Sequence, residues 1–489
     1  MKTLAALWPD VSPELAAIGV SALTLDSRLV RPGMAFVALK GRSRDGRGFI
    51  PAVIEAGAAV VFADKDADWP ASRVVAGVPV IVVDRLDQQV GHIAARFHDD
   101  PSARMKVIAV TGTNGKTSVS NLIAGALARL GDKAAVLGTI GNGLFGALEK
   151  STHTTLDAVS LQALLAGFRQ DGAQVVAMEA SSHGLQQGRL NGTSIDVAVF
   201  TNLTRDHLDY HGDMEAYAAA KQILFRWPGL RAAVVNVDDA VGCRYAAALQ
   251  GHVACLRYSQ DPSADAEIKA VSVVPSLTGL SLRVALGDGE FAMDVPLLGR
   301  FNVSNILAVV GSLHAIGIPV ADIASALRAA QPVPGRMESI AGDHPTVVVD
   351  YAHTPDALEK VLSSLREHVR GRLVCVFGCG GDRDSGKRAQ MGAIAVRLAD
   401  AVVITSDNPR SESADAIIAD IAAGTGNAPV KIERDRHRAI RLAVHGASAD
   451  DIVLVAGKGH EDYQEIAGVR HPFSDMHEVR AALASWRQA

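Results

Sequence analysis

Residues 107–118 read VIAVTGTNGKTS. An apolar, β-rich run from Val107 to Val110 gives way to two glycines and small polar residues, and helical periodicity then continues to Leu130. A strand, a glycine loop and a helix in that order leave backbone N–H groups free at a helix N-terminus, where phosphate oxygens bind. Lys116 adds a cation and Thr117 a hydroxyl suited to magnesium. A full eight-residue P-loop would have glycine at Val110, so this loop is a shortened form. An ordinary glycine turn with a surface lysine is the weaker reading, because strand and helix signals stand on both sides.

Outward from this loop, short apolar runs alternate with helix-length segments. Strands are predicted at Ala134 to Leu137, Val175 to Met178, Val197 to Phe200 and Ala233 to Val235, which implies a mainly parallel sheet covered by helices. Upstream, Ala35 to Leu39 reads as a strand of a smaller α/β unit, and HDDPS at 98–102 as a joint, since Pro101 biases Asp100 away from helix. Downstream, QPVPGR at 331–336 is a second joint. Beyond it Val347 to Asp350, Leu373 to Phe377, Ala401 to Thr405 and Ile452 to Ala456 predict a third domain, with a doubly wound sheet. The expected architecture is therefore α/β in three domains: 1–101, 102–334 with a central P-loop ATPase-like parallel sheet, and 335–489 with a doubly wound, Rossmann-like sheet. A length of 489 residues agrees with about three domains at ~150 residues each.

Bulk properties narrow the partners. The chain is 48% hydrophobic and 21% charged, and its formal charge of −5 argues against a nucleic-acid-coating surface. Four cysteines without CxxC spacing read as reduced thiols. Pro9 and Asp10 interrupt the first apolar stretch too early for a signal core, and no run reaches the ~18 residues of a membrane span, so a cytoplasmic protein is expected.

Polar residues cluster after the predicted strands, where open α/β sheets bind ligands. Glu179 follows one of them and could share a magnesium ion with the phosphate loop, although a buried hydrogen-bonding acid is the competing reading. Asp206, His207 and Asp209 follow the next. In the last domain the clusters are DYAHTPD, GCGGDRDSGKR, SDNPRSE and GKGHEDY.

TGTNGKT, MEASSHGL, TNLTRDHLDYHG with Lys221 nine residues on, GRFNVSN and PGRME occur in the order and spacing of the Mur ligases, and the chain resembles that family over nearly its whole length. LDSR, HTT at 153–155, SSHGLQQGR and DNPR are similar to the members that add meso-diaminopimelate to UDP-N-acetylmuramoyl-L-alanyl-D-glutamate. Leu156 follows HTT where many relatives have proline or glycine.

The resemblance implies an ATP-dependent amide ligase of peptidoglycan synthesis, a monomer, that works through an acyl phosphate. It implies a UDP-binding first domain, an ATP-binding second and an amino-acid-binding third. Leu25, Ser27, Arg42, Ser43 and Arg44 would touch the uridine diphosphate, and Thr154, Thr155, Ser181, Gln187 and Arg189 the muramoyl dipeptide. Gly112, Thr113, Asn114, Gly115, Lys116, Thr117 and Ser118 would bind ATP phosphates, with Asn302 and Arg336 near the nucleotide and Asp350 near its ribose. Lys116, Glu179, His207 and Lys221 would be catalytic, and Thr117, Glu179, His207 and Lys221 would hold Mg2+. Chemistry alone reads Lys221 as a solvated helix position; the family has a lysine carbamylated by CO2 there. Only a neutral amine reacts in that way, so its site must favour deprotonation.

Selection of the amino acid would fall to Arg388, Asp407, Asn408, Pro409, Arg410, Gly457 and Glu461. An arginine fork binds a carboxylate through two parallel hydrogen bonds, so Arg410 favours diaminopimelate over L-lysine, which lacks the second carboxylate. DNPR as a plain proline turn is the alternative. A lysine-adding ligase and a folylpolyglutamate synthase-like ligase remain rival readings, and a nucleotide-dependent switch is a rival outside the ligases.

Overall fold

The computed structural model describes residues 1–41, 44–151, 154–249 and 251–486, with the side chain of Asp209 outside the described set. The chain divides into two compact units, Met1–Arg257 with Gly311–Gly317 and Tyr258–Val310 with Ile318–Ala489.

Beside the short pair Lys2–Thr3 and Gly19–Val20, the first unit holds two larger sheets. In the smaller, Leu23–Thr24, Ala35–Ala38, Val60–Asp64 and Val78–Val83 run parallel in that order and Arg73–Val75 closes the edge antiparallel. All four residues of Ala35–Ala38 are buried, as expected of a parallel strand covered on both faces. In the larger, the spatial order is Asn142–Leu144, Ala134–Leu137, Val175–Glu179, Lys106–Thr111, Val197–Phe200 and Ala232–Asn236, parallel throughout except for the first pair. Lys106–Thr111 therefore lies inside the sheet, and its carboxyl end delivers the glycine loop between Glu179 and Phe200. The helix Lys116–Arg129 follows at once, with buried Val119, Leu122, Ile123 and Leu127 facing the sheet.

In the second unit, Ile268–Ser276, Gly279–Leu286 and Gly289–Val295 form an antiparallel meander with a register shift between Ala270 and Ser272. The reading of 102–334 as mainly parallel did not foresee it. Its strands alternate buried and exposed residues, a one-faced pattern unlike the continuous apolar runs used to find the parallel strands. The last sheet runs Glu338–Gly342, His344–Asp350, Ile452–Ala456, Leu373–Phe377, Ala401–Ile404 and Lys431–Ile432, parallel apart from its first pair. Helices Pro355–Arg366, Gly386–Leu398 and Ala414–Ala423 pack on one apolar face through Leu358, Leu362, Met391 and Ile421. Arg436–His445 and Asp475–Ala484 pack on the other through Ile440, Val444 and Val479. The chain thus changes face between the third and fourth parallel connections, which places its polar loops around the carboxyl ends of the central strands. Among the described residues no helix is long and apolar enough to cross a membrane.

Candidate active site

Two glycines shape the phosphate loop. Gly112 has φ +146° and a Cβ on it would collide with the Thr201 hydroxyl, while Gly115 has φ +86° and starts the helix from the left-handed region. The loop is held from the neighbouring strand end: Thr113 N donates to Asn202 O at 2.8 Å and Asn114 N to Asn202 Oδ1 at 3.0 Å. Lys116 Nζ folds back on the loop, donating to Gly112 O at 3.0 Å and Thr113 O at 2.9 Å.

Beside the loop, Thr117 Oγ1 donates to Glu179 Oε1 at 3.0 Å. Glu179 is buried, and its carboxylate also receives the N–H of Thr139 at 2.7 Å and the Thr139 hydroxyl at 3.2 Å. Two hard oxygen donors meet here at the N-terminus of a helix, a fit for magnesium, which keeps most of its shell for water and phosphate oxygens. Among the described residues no group of three His, Cys, Asp or Glu side chains is placed to hold a metal.

Thr139 also links to Thr154, hydroxyl to hydroxyl at 3.1 Å. Thr155 Oγ1 donates to Glu179 O at 3.0 Å and receives Ser181 N at 3.1 Å. Arg189 Nη1 donates to Thr155 O at 2.8 Å and its Nε to Gln187 Oε1 at 2.9 Å. The structure therefore brings Thr154, Thr155, Ser181, Gln187 and Arg189 into one network with Glu179. Leu25 packs against the apolar core of the first sheet, Ser27 lies in a turn capped by Asp26, and Arg44 is exposed. Arg42 and Ser43 lie outside the described residues.

Lys221 ends up in a different place from a solvated helix position. The helix Met214–Gln222 buries Tyr217, Ala218, Ala220 and Lys221, and Lys221 is 1% exposed. Its Nζ donates to Gly112 O at 2.8 Å and sits 4.3 Å from the centre of the Tyr217 ring. Lys116 and Lys221 thus share one carbonyl of the phosphate loop. Burial, then the charge of Lys116, push the Lys221 amine well below the usual lysine range, with Asp206 opposing. His207 has φ +52°, is about half exposed, and stacks edgewise near Tyr217 with ring centres 6.1 Å apart. The Tyr217 hydroxyl, pushed up to about 12 by burial, lies 3.3 Å from Thr113 Oγ1 and so ties the loop to this helix.

In the second unit Asp350 ends its strand and receives Met337 N and Ala352 N, each at 2.8 Å. Burial raises its carboxyl despite Arg336 nearby. Among the described residues the buried Nε of Arg336 has no hydrogen-bond partner, and its guanidinium stands 5.0 Å from the Tyr351 ring centre, leaving a donor for an anionic ligand. Asn302 caps its own turn by donating to Leu298 O at 2.7 Å.

The 407–410 turn is stitched to the strand Tyr463–Ile466: Glu465 N donates to Asn408 Oδ1 at 2.9 Å and Arg410 N to Glu465 O at 3.0 Å. Arg410 has φ +51°, and its Nη1 donates to Gly381 O at 2.7 Å. Pro409 holds the backbone beside Gly381, where a Cβ would strike Pro409 O. Gly457 has φ +117° and faces the Asp407 carboxylate, so that this glycine is also required. Asn408 Nδ2 donates to Glu461 Oε2 at 2.7 Å. Arg388 is buried and committed within the protein, to Glu412 Oε1 at 2.8 Å and Asp420 Oδ2 at 2.9 Å.

Sequence reasoning missed Thr139, Tyr217, Lys458 and the fully buried pair Arg436 and Asp475, joined at 2.6 Å. The pair donates from Arg436 to Ser406 O at 3.3 Å and Ala456 O at 3.0 Å, the residues just before Asp407 and Gly457.

Three family models match the chain: Mur ligase family, catalytic domain, over 19–98; Mur ligase middle domain over 110–313; and Mur ligase, glutamate ligase domain, over 335–459. The UDP-N-acetylmuramoyl-L-alanyl-D-glutamate–2,6-diaminopimelate ligase of Pseudomonas aeruginosa is 50% identical over 492 residues, covering 98% of each chain. A solved structure of a ligase with that name aligns with a TM-score of 0.79 at 40% identity over 99% of each chain. Folylpolyglutamate synthase from Mycobacterium tuberculosis, solved with ADP, shares the fold at a TM-score of 0.61 and 19% identity, over 77% of this chain and 92% of its own.

Proposed function

The chain belongs to the Mur ligase family, and from that premise we propose how its residues carry out the reaction. It is an ATP-dependent ligase of peptidoglycan synthesis that joins 2,6-diaminopimelate to UDP-N-acetylmuramoyl-L-alanyl-D-glutamate. The substrate's D-glutamyl carboxylate attacks the γ-phosphorus of ATP, the bond to ADP breaks, and an acyl phosphate forms. The amine of meso-diaminopimelate then attacks the acyl carbon, phosphate leaves with the C–O bond, and the nitrogen loses a proton.

Gly112 to Ser118 cradle the phosphates, with Lys116 turning from its loop carbonyls to the γ-phosphate. Thr117, Glu179, His207 and a carbamylated Lys221 would hold magnesium, which when bound would offset repulsion between an anionic carboxylate and an anionic phosphate. Thr154, Thr155, Ser181, Gln187 and Arg189 orient the dipeptide through the network that ends on Glu179. Leu25, Ser27 and the 42–44 loop take the uridine diphosphate. Asn302, Arg336 and Asp350 take the nucleotide, and Asp407 to Arg410 with Gly457 and Glu461 take the amino acid, while Arg388 supports that turn through Glu412, whose N–H donates to Pro409 O at 3.0 Å. Residues 1–101, 102–334 and 335–489 divide these tasks in a cytoplasmic monomer.

The observation that carries the reading is the pair of amines on Gly112 O. Two ammonium groups on one carbonyl repel each other in a buried site, whereas a neutral Lys221 donates there without that penalty. A neutral amine adds CO2 to give a carbamate and a proton, which turns Lys221 from a cation into an anionic oxygen ligand beside the phosphates. The acyl-phosphate route is tested with 18O in the glutamyl carboxylate. One labelled oxygen should appear in phosphate for each amide formed; unlabelled phosphate rejects the route.

A further inference from the structure

Within the proposed amino-acid site one cation has no assigned task. Lys458 is 0% exposed, more deeply buried than Asp407, Asn408 or Glu461 around it. Its Nζ donates to Asn408 Oδ1 at 3.0 Å and Glu461 Oε2 at 3.1 Å, and stands 4.0 Å from Asp407 Oδ1. Asn408 Nδ2 closes the triangle on the same Glu461 Oε2 at 2.7 Å. Among the described residues Glu461 Oε1 receives no hydrogen bond, which leaves it free to accept from a ligand's ammonium group.

We propose that Lys458 is a positioning and specificity-determining residue for the incoming amino acid, an inference that rests on the assignment of 407–410 and 461 to that substrate. It acts in two ways. By occupying Glu461 Oε2 and Asn408 Oδ1, it turns the remaining Glu461 oxygen toward the ligand. By its charge, it balances one of the two carboxylates of Asp407 and Glu461, while Arg410 balances the other. A site with two fixed anions and two fixed cations suits diaminopimelate, whose two carboxylates and two ammonium groups also cancel. Without Lys458 the site carries a net negative charge, which favours a cationic amino acid such as L-lysine.

The test compares full-length wild type with Lys458→Met, which removes charge and donor, and Lys458→Gln, which removes the charge and keeps a donor for Asn408. Each is assayed with diaminopimelate and with L-lysine, alongside a thermal melt. For both variants the KM for diaminopimelate should rise about tenfold, as expected for one lost charge-assisted hydrogen bond. The preference for diaminopimelate over lysine should fall by a similar factor, with the KM values for ATP and the UDP-linked dipeptide within about twofold of wild type. An unchanged preference, a parallel rise in all KM values, or loss of cooperative melting in both variants would make Lys458 a structural residue and overturn the proposal. Wild type that forms no product with diaminopimelate would instead overturn the site assignment beneath it.

Discussion

Replacing Lys221 with Met probes the least ordinary group in the molecule. In the unfolded chain this amine titrates near 10.5, whereas burial and Lys116 hold it well below that value in the folded protein. Between the folded and unfolded pKa values the unfolded chain therefore carries a proton at this position that the folded chain does not. Stability must rise with pH across that window, with a slope of about 1.4 kcal/mol per pH unit for one whole proton, and level off above the unfolded pKa. Methionine fills similar space and titrates nowhere. In buffer freed of CO2, wild type should take up about one more proton than Lys221→Met when unfolded by urea within that window. The difference is read by calorimetry in buffers of different ionisation enthalpy. Equal uptake by the two proteins would mean that Lys221 is charged in the fold, and the argument for a carbamate at Gly112 would fail with it.

Glu179→Gln keeps the size of the side chain but removes the anion facing Thr117, and should lower kcat for ATP consumption on the order of 100-fold with little change in melting temperature; activity within threefold of wild type would refute a metal role. Arg410→Ala should raise the KM for diaminopimelate by roughly 30-fold, from about 2 kcal/mol for a lost bidentate carboxylate contact, and an unchanged KM would remove Arg410 from recognition. Asp475→Ala leaves Arg436 buried at 0% exposure without its partner, which should cost about 3–5 kcal/mol in urea unfolding of the second unit; a loss below about 1 kcal/mol would show that the pair does not hold the ends of its two strands.

What could be read from the chain alone follows the range of the interactions involved. The parallel strands Lys106–Thr111, Val175–Glu179, Val197–Phe200 and Ile452–Ala456 are continuous apolar runs because both faces are covered, so each shows itself locally. The phosphate loop is equally local, since Gly112 and Gly115 are needed for the conformation of their own backbone. The meander at 268–295 was hidden because its strands bury one face only, and alternation there is broken by the shift at Ala270. Thr139 reaches Glu179 across 40 positions and Arg436 reaches Asp475 across 39, distances at which no pattern of neighbours marks a partner. The burial of Lys221 is not signalled by its residue type, although the small residues around it in AYAAAK carry a physical hint: alanines allow close approach of a helix and so bury the lysine among them. Arg388 shows the opposite limit, for its residue type suits a carboxylate ligand but Glu412 and Asp420 already supply two.

The most direct measurement follows phosphate release and product mass with ATP, magnesium and UDP-N-acetylmuramoyl-L-alanyl-D-glutamate, adding either meso-diaminopimelate or L-lysine. The account predicts the diaminopimelate-containing tripeptide in step with phosphate, and little product with lysine. Equal or better turnover of lysine would contradict the assignment of amino-acid choice to Arg410 and its neighbours, and product with neither amine would contradict the ligase itself.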